Sequence, residues 1–130
     1  MQHNQLRSYL DEAESALQTL KACHFEKYEE EILTPERANL RVRIRFATGH
    51  LLELNEAITT AEGDLQHLSY RYHLQDRHNS LVFRYDNTPH FPSLDNFPNH
   101  KHLLSRVTAS LRPTFREVVE EVNQYLAASK

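Results

Sequence analysis

Leu40, Val42, Ile44 and Phe46 alternate strictly with Arg41, Arg43 and Arg45, and no other feature of the chain constrains its fold as tightly. Successive side chains of a strand point to opposite faces, so this run predicts a β-strand with one apolar face and one cationic face. Such a strand needs a second layer over its apolar side, and the chain supplies two candidates. Leu6, Tyr9, Leu10, Ala13, Ala16, Leu17 and Leu20 recur at steps of three and four, which predicts an amphipathic helix from about Gln5 to Ala22. Phe115, Val118, Val119, Val122, Tyr125 and Leu126 repeat the pattern, and Thr114 with Glu117 can form a capping box just after Pro113.

Turn chemistry divides the middle of the chain. Thr48, Gly49 and His50 make a hairpin turn into a strand from about Leu51 to Ile58. Glu62, Gly63 and Asp64 lead to a third strand, Leu65 to Asp76, and Arg77, His78 and Asn79 to a fourth, Ser80 to Asp86. Cys23 to Leu33 suits either helix or strand, and the Pro35 turn favours a strand paired with its neighbour. Asn87 to about His102, with Pro89, Pro92 and Pro98, reads as a long irregular stretch of the kind that carries function. The expected fold is α+β: an antiparallel β-meander of four to five strands, with N- and C-terminal helices packed on one face. The 130 residues fit a single domain, 1–130, able to bury its own core. No segment approaches the roughly 20 apolar residues of a membrane span, the residues MQHNQLRSYLDEAES show no signal-peptide or lipidation pattern, so no leader is expected, and Cys23 has no partner for an internal disulfide. A cytoplasmic protein without a membrane partner is expected.

Strand parity sorts the side chains. Leu68, Tyr70, Tyr72, Leu74, Leu81, Phe83 and Tyr85 are expected beneath the helices, and His67, Ser69, Arg71, His73, Gln75 and Arg84 on the polar face with the three arginines. The formal charge of −3 conceals segregation, because acidic residues crowd Asp11 to Glu36 while arginines occupy the middle. Arg41, Arg43, Arg45 and Arg71 are the expected nucleic-acid-binding groups.

Six of the nine histidines fall between His67 and His102. Imidazole exchanges protons near neutral pH and guanidinium offers a planar fork of donors to phosphate oxygens. Metal-free cleavage of RNA needs a base for the 2′-hydroxyl, an acid for the leaving 5′-oxygen and cations for the phosphorane. His73 or His90 as base, His100 or His102 as acid, and Arg84 with Lys101 on the phosphate would supply these roles on one site, with no metal and no cofactor. Two other readings compete. His90, His100 and His102, helped by Asp86 or Asp95, could ligate the metal of a hydrolase, or the polar face could bind nucleic acid or protein without chemistry. Walker, dinucleotide-binding and nucleophile-elbow motifs are absent from the chain.

The strings Tyr70-Arg71-Tyr72-His73-Leu74-Gln75, Phe83-Arg84-Tyr85-Asp86-Asn87-Thr88-Pro89-His90 and Phe97-Pro98-Asn99-His100-Lys101-His102 resemble, in order and spacing, the signature of the TumE family of toxins. The likeness spans about the last ninety residues and departs from the family at Phe91, where members often carry a second histidine. It implies a growth-inhibiting toxin paired with a helix-turn-helix antitoxin. Glu26 to Glu31 with Glu117 to Glu121 are expected to form an antitoxin-facing or solubilising surface outside the active site. Endoribonuclease action on RNA is the reading of the site chemistry, and a homodimer is among the assemblies such a chain could form.

Overall fold

The computed structural model describes residues 2–87, 99–104 and 106–128. The order is α1 (Gln2–Leu17), β1 (Cys23–Thr34), β2 (Arg37–Phe46), β3 (Leu51–Thr59), β4 (Gln66–Gln75), β5 (Leu81–Asp86), β6 (His100–Leu103), β7 (Arg106–Ala109) and α2 (Phe115–Ala128). All the strands join one antiparallel sheet in sequence order.

The α+β class and the meander agree with the sequence pattern, but among the described residues the sheet has seven strands rather than four to five. Cys23 to Leu33 is a strand, paired along β2. The other additions are β6 and β7, four residues each, too short to display an alternation; β6 falls at the end of the stretch that reads as irregular. At the opposite end of the chain α1 stops at Leu17, short of the expected Ala22. Ala22 takes a φ of 53°, and its carbonyl accepts a 2.7 Å hydrogen bond from Ala47 N–H.

The alternation in β2 behaves as its pattern demands: Ala38, Leu40, Val42, Ile44 and Phe46 are buried and the residues between them are not. Leu6, Leu10, Ala13, Ala16 and Leu17 of α1 join that core, as do Phe115, Val118, Val119 and Val122 of α2, so both helices cover the same face. Leucine-sized side chains withdrawn from water contribute about 1.5–3 kcal/mol each, which makes this single interface the main source of stability. The capping box of α2 is complete, with Thr114 N–H donating to Glu117 Oε1 at 2.8 Å and Glu117 N–H to Thr114 Oγ1 at 3.1 Å. Gly49 is required twice in the β2–β3 turn: its φ is 92°, and a Cβ there would lie 2.6 Å from Arg77 Cβ.

One departure in β4 bears on the chemistry. Ala57 pairs with Ser69 but Ile58 pairs with His67, so Leu68 is the extra residue of a bulge. Parity reverses across it. Leu68 is 47% exposed instead of buried, and His67 turns under the helices instead of joining the polar face.

Candidate functional site

On the face away from the helices, three neighbouring strands bring the signal-bearing residues together. His73 of β4 pairs with Arg84 of β5, which pairs with His102 of β6; in the adjacent row Arg71, Asp86 and His100 pair in the same way. Opposed residues in a ladder have side chains about 5 Å apart, so these two rows form one patch. Asp86 sits at its centre: Oδ1 is 2.7 Å from His100 Nε2, and Oδ2 is 3.5 Å from His102 Nε2 and 3.1 Å from Arg84 Nε. The two imidazole rings lie 4.7 Å apart, edge to face. Although parity sets them on the polar face, His73, Asp86, His100 and His102 are all buried.

His73 is held in a defined tautomer. Asn79 Oδ1 accepts from Gln75 Nε2 at 2.9 Å, which turns Gln75 Oε1 toward His73 Nε2, also at 2.9 Å. An amide oxygen accepts only, so the proton belongs on Nε2 and the lone pair on Nδ1, a buried atom with no hydrogen-bond partner among the described residues. Burial, followed by the charges of Arg71 and Arg84, lowers the pKa of His73 below its ordinary 6.5, although Gln75 and Glu53 act in the opposite sense.

Not every expected residue joins this patch. Lys101 lies between His100 and His102 on β6, and the same parity that aims those imidazoles at the polar face sends Lys101 to the helix side. There Nζ is 3.1 Å from Glu121 Oε2 and 4.7 Å from the centre of the Tyr85 ring. Burial opposes its charge, but hydrogen bonds with Tyr85 and Glu121 raise its pKa. The expectation that Lys101 shares a site with His73 and Arg84 is corrected by that geometry. His90 and Asp95 lie outside the described residues.

Arg41, Arg43 and Arg45 project onto the polar face, but they are not a bare cationic stripe. Arg41 pairs with Glu29 at 2.9 Å and Glu31 at 3.4 Å, Arg43 with Glu26 at 2.8 Å and Glu53 at 2.9 Å, and Arg45 with Glu26 at 3.3 Å. The acidic run of β1 therefore neutralises the arginines, because β1 pairs along β2 and presents its carboxylates on the same face. Arg71 is less tightly held, 4.0 Å from Glu53.

A second polar cluster went unread in the sequence. Glu56 of β3 lies beneath the helices, where Tyr9 donates to Oε1 at 2.7 Å, the Tyr72 hydroxyl donates to Oε2, and His67 Nε2 is 2.9 Å from Oε2. Arg112 Nη1 donates to the Tyr72 hydroxyl at 3.3 Å. The signal was available: a carboxylate at an inward position of β3, between Leu54 and Ile58, demands buried partners.

A sheet backed by two helices on one face and carrying an acid–imidazole cluster on the other defines a small α+β protein. The family model described as Toxin TumE matches residues 14–126, and the chain belongs to the TumE toxin family. It is accordingly a toxin of a toxin–antitoxin system, with an antitoxin as its implied partner. No curated protein and no solved structure matches the chain. Among the described residues no helix is long and apolar enough to cross a membrane.

Proposed function

We propose that the chain is a metal-independent endoribonuclease whose site is His73, Arg84, Asp86, His100 and His102. The observation that carries the reading is the buried, unpartnered Nδ1 of His73, which pairs across the ladder with Arg84, itself bonded to Asp86 of the acid–imidazole group. His73, neutral at pH 7, takes the proton of a ribose 2′-hydroxyl as its oxygen attacks the adjacent phosphorus. A protonated His100 or His102, with Asp86 as counter-charge, gives a proton to the departing 5′-oxygen, leaving a 2′,3′-cyclic phosphate and a 5′-hydroxyl. Arg84 spends one N–H on Asp86 and has others to offer the phosphorane oxygens. The inhibited process is RNA-dependent growth, and the proposed partner is a helix-turn-helix antitoxin whose co-expression restores it.

A second reading has its own support. Asp86, His100 and His102 each offer a ligand atom within 4.8 Å of the others, a donor set suited to a divalent transition metal. One experiment separates the two: purified protein and its His73→Ala variant are incubated with RNA, with and without a chelator. Cleavage that survives chelation and fails in His73→Ala supports acid–base catalysis. Cleavage that vanishes on chelation and returns with zinc or manganese supports a metal centre. Intact RNA throughout, from a protein that still arrests growth, would leave the face as a binding surface without chemistry.

A further inference from the structure

Beside the histidine cluster the same face of the sheet carries a depression of about 300 Å³ that none of His73, Asp86, His100 and His102 lines. Its floor is the methyl group of Ala57, which pairs across the ladder with Asn39 on one side and Ser69 on the other. In the next row Asn55 lies between Arg41 and Arg71, and Asn87 closes the end beyond β5. The hollow exists because a small residue is placed where every neighbour in its row is longer. Arg71 also pairs with Asp86, so one strand separates the depression from the proposed catalytic centre.

The walls differ in how far their hydrogen bonding is satisfied. Asn39 Nδ2 donates to Glu31 at 3.0 Å, and Asn87 is fastened to β4 by a 3.2 Å bond from Tyr70 N–H and a 3.3 Å bond to the Leu68 carbonyl. By contrast, the carboxamide of Asn55 and the hydroxyl of Ser69 have no side-chain hydrogen bond among the described residues. A half-buried carboxamide with an acceptor and two donors in one plane, beside a loosely paired guanidinium, is suited to a planar ligand with a matching edge.

We infer that this depression is a nucleobase pocket that selects adenine in single-stranded RNA next to the cleaved phosphate, an inference that rests on the ribonuclease reading for its place in the reaction. Adenine is chosen because a carboxamide meets its N6 and N7 with one acceptor and one donor at once, and unstacked bases are read in this way. Arg71 supplies the flat cation on which the base, or the phosphate leading toward Asp86, would rest. Glu31 and Glu29 close the side of the pocket remote from the cluster by occupying Arg41 and Asn39, which directs the strand toward β5.

The test uses the full chain, labelled with nitrogen-15 and titrated with each of the four ribonucleoside 5′-monophosphates while the Asn55 side-chain amide is followed. AMP should bind at least about five-fold more tightly than the others, Asn55→Ala should level the four, and Ala57→Leu, which fills the floor, should remove binding while the remaining spectrum stays native. Equal affinities for all four nucleotides, or AMP binding untouched by both variants, overturns the pocket. Cleavage-site mapping on a random RNA pool separates this inference from the reading beneath it. RNA cut with the same preference by wild type, Asn55→Ala and Ala57→Leu would sink the pocket and leave the nuclease standing. AMP held at Asn55 by a protein that leaves RNA intact would keep the pocket and sink the nuclease.

Discussion

Asp86 and Glu56 are both buried carboxylates in the same sheet, 5% and 4% exposed, and they project from opposite faces. Around Glu56 the partners are mainly phenols. Burial, then the Glu56 charge, pushes the Tyr9 and Tyr72 hydroxyls well above their ordinary range, so each stays a donor at any physiological pH. Tyr72 is itself met by Arg112, and the result is a closed set of bonds tying α1, β3, β4 and the approach to α2 together. Asp86 is surrounded instead by imidazoles and Arg84, with His73 alongside, and imidazoles change charge near neutrality. The contrast teaches that burial of an acid does not identify a site; the proton chemistry of its neighbours does. Two clusters of similar depth thus make opposite demands on mutation.

The largest expected effect breaks activity without breaking the fold. His73→Ala or His100→Ala should lower RNA turnover per folded molecule by about two to four powers of ten if each imidazole is a general acid or base, although truncating the fully buried His100 should also lower the unfolding temperature. Turnover within a factor of a few of wild type in both variants would remove the acid–base assignment. Glu56→Ala should do the reverse. It removes the acceptor shared by two phenols and an imidazole, although Tyr9 and His67 stay 2.9 Å apart and Tyr72 keeps Arg112. The loss is expected to cost about 1–3 kcal/mol, while turnover per folded molecule is retained. Denaturant unfolding measures the first quantity and active-site-normalised cleavage the second; a fully stable, inactive Glu56→Ala would mean that the helix-side cluster is the machinery.

How far these clusters could be read in the sequence follows from the length and regularity of the strands beneath them. Strict alternation in β2 announced its face, and the histidine-rich strings on β4, β5 and β6 announced the patch, because a period of two survives wherever strands are long enough to show it. Lys101 was misplaced because three consecutive chemical residues, His100, Lys101 and His102, look like one motif, whereas a strand must send the middle one to the other side. His67 was misplaced for a related reason, since a bulge inverts parity and leaves no mark in local composition. The neutralised arginine row depends on which strand pairs with β2, a long-range fact that no local pattern carries. Glu56 and Arg112 are joined through Tyr72 only by tertiary packing.

The pH dependence of His73 sharpens the comparison, because Tyr9 and Tyr72 keep their protons throughout the neutral range. Its folded pKa lies below the ordinary 6.5, with burial the leading cause, so the folded state favours the neutral ring. The sign follows: the unfolded chain binds the proton more readily, and the His73 contribution to stability is fully present above pH 6.5 and is lost as pH falls through the lowered folded value. Stability measured from pH 7.5 downward should therefore decline more steeply in wild type than in His73→Gln. A His73 resonance titrating at or above 6.5 would contradict both this trend and its role as a neutral base.

The charges on the β2 margin offer a milder adjustment. Replacing Glu26, Glu29 and Glu31 together by Gln should release Arg41, Arg43 and Arg45 from their ion pairs. RNA affinity should rise and fall off more steeply with salt as additional phosphates are engaged, while the rate at saturating RNA stays unchanged. Equal affinity and slope for the two proteins would mean that nucleic acid does not run over these strands.

The smallest expected effect concerns Lys101, and it tests the division between the two faces most directly. Its sequence neighbours His100 and His102 touch Asp86, yet its own ammonium lies near Glu121 and Tyr85 under α2. Lys101→Met keeps the aliphatic stem over the rings of Phe83 and Tyr85 and removes the charge. The ion pair is partly open to solvent, so its loss should reduce stability by less than about 1 kcal/mol. Tyr85 retains Glu121 as acceptor at 2.7 Å, which limits the disturbance to one side chain. RNA turnover and its KM should match wild type, in contrast to the loss expected one residue away in His100→Ala. A Lys101→Met protein that folds normally but binds RNA several-fold more weakly would show that the phosphate reaches the helix side of β6, and the assignment of chemistry to one face and cohesion to the other would fail.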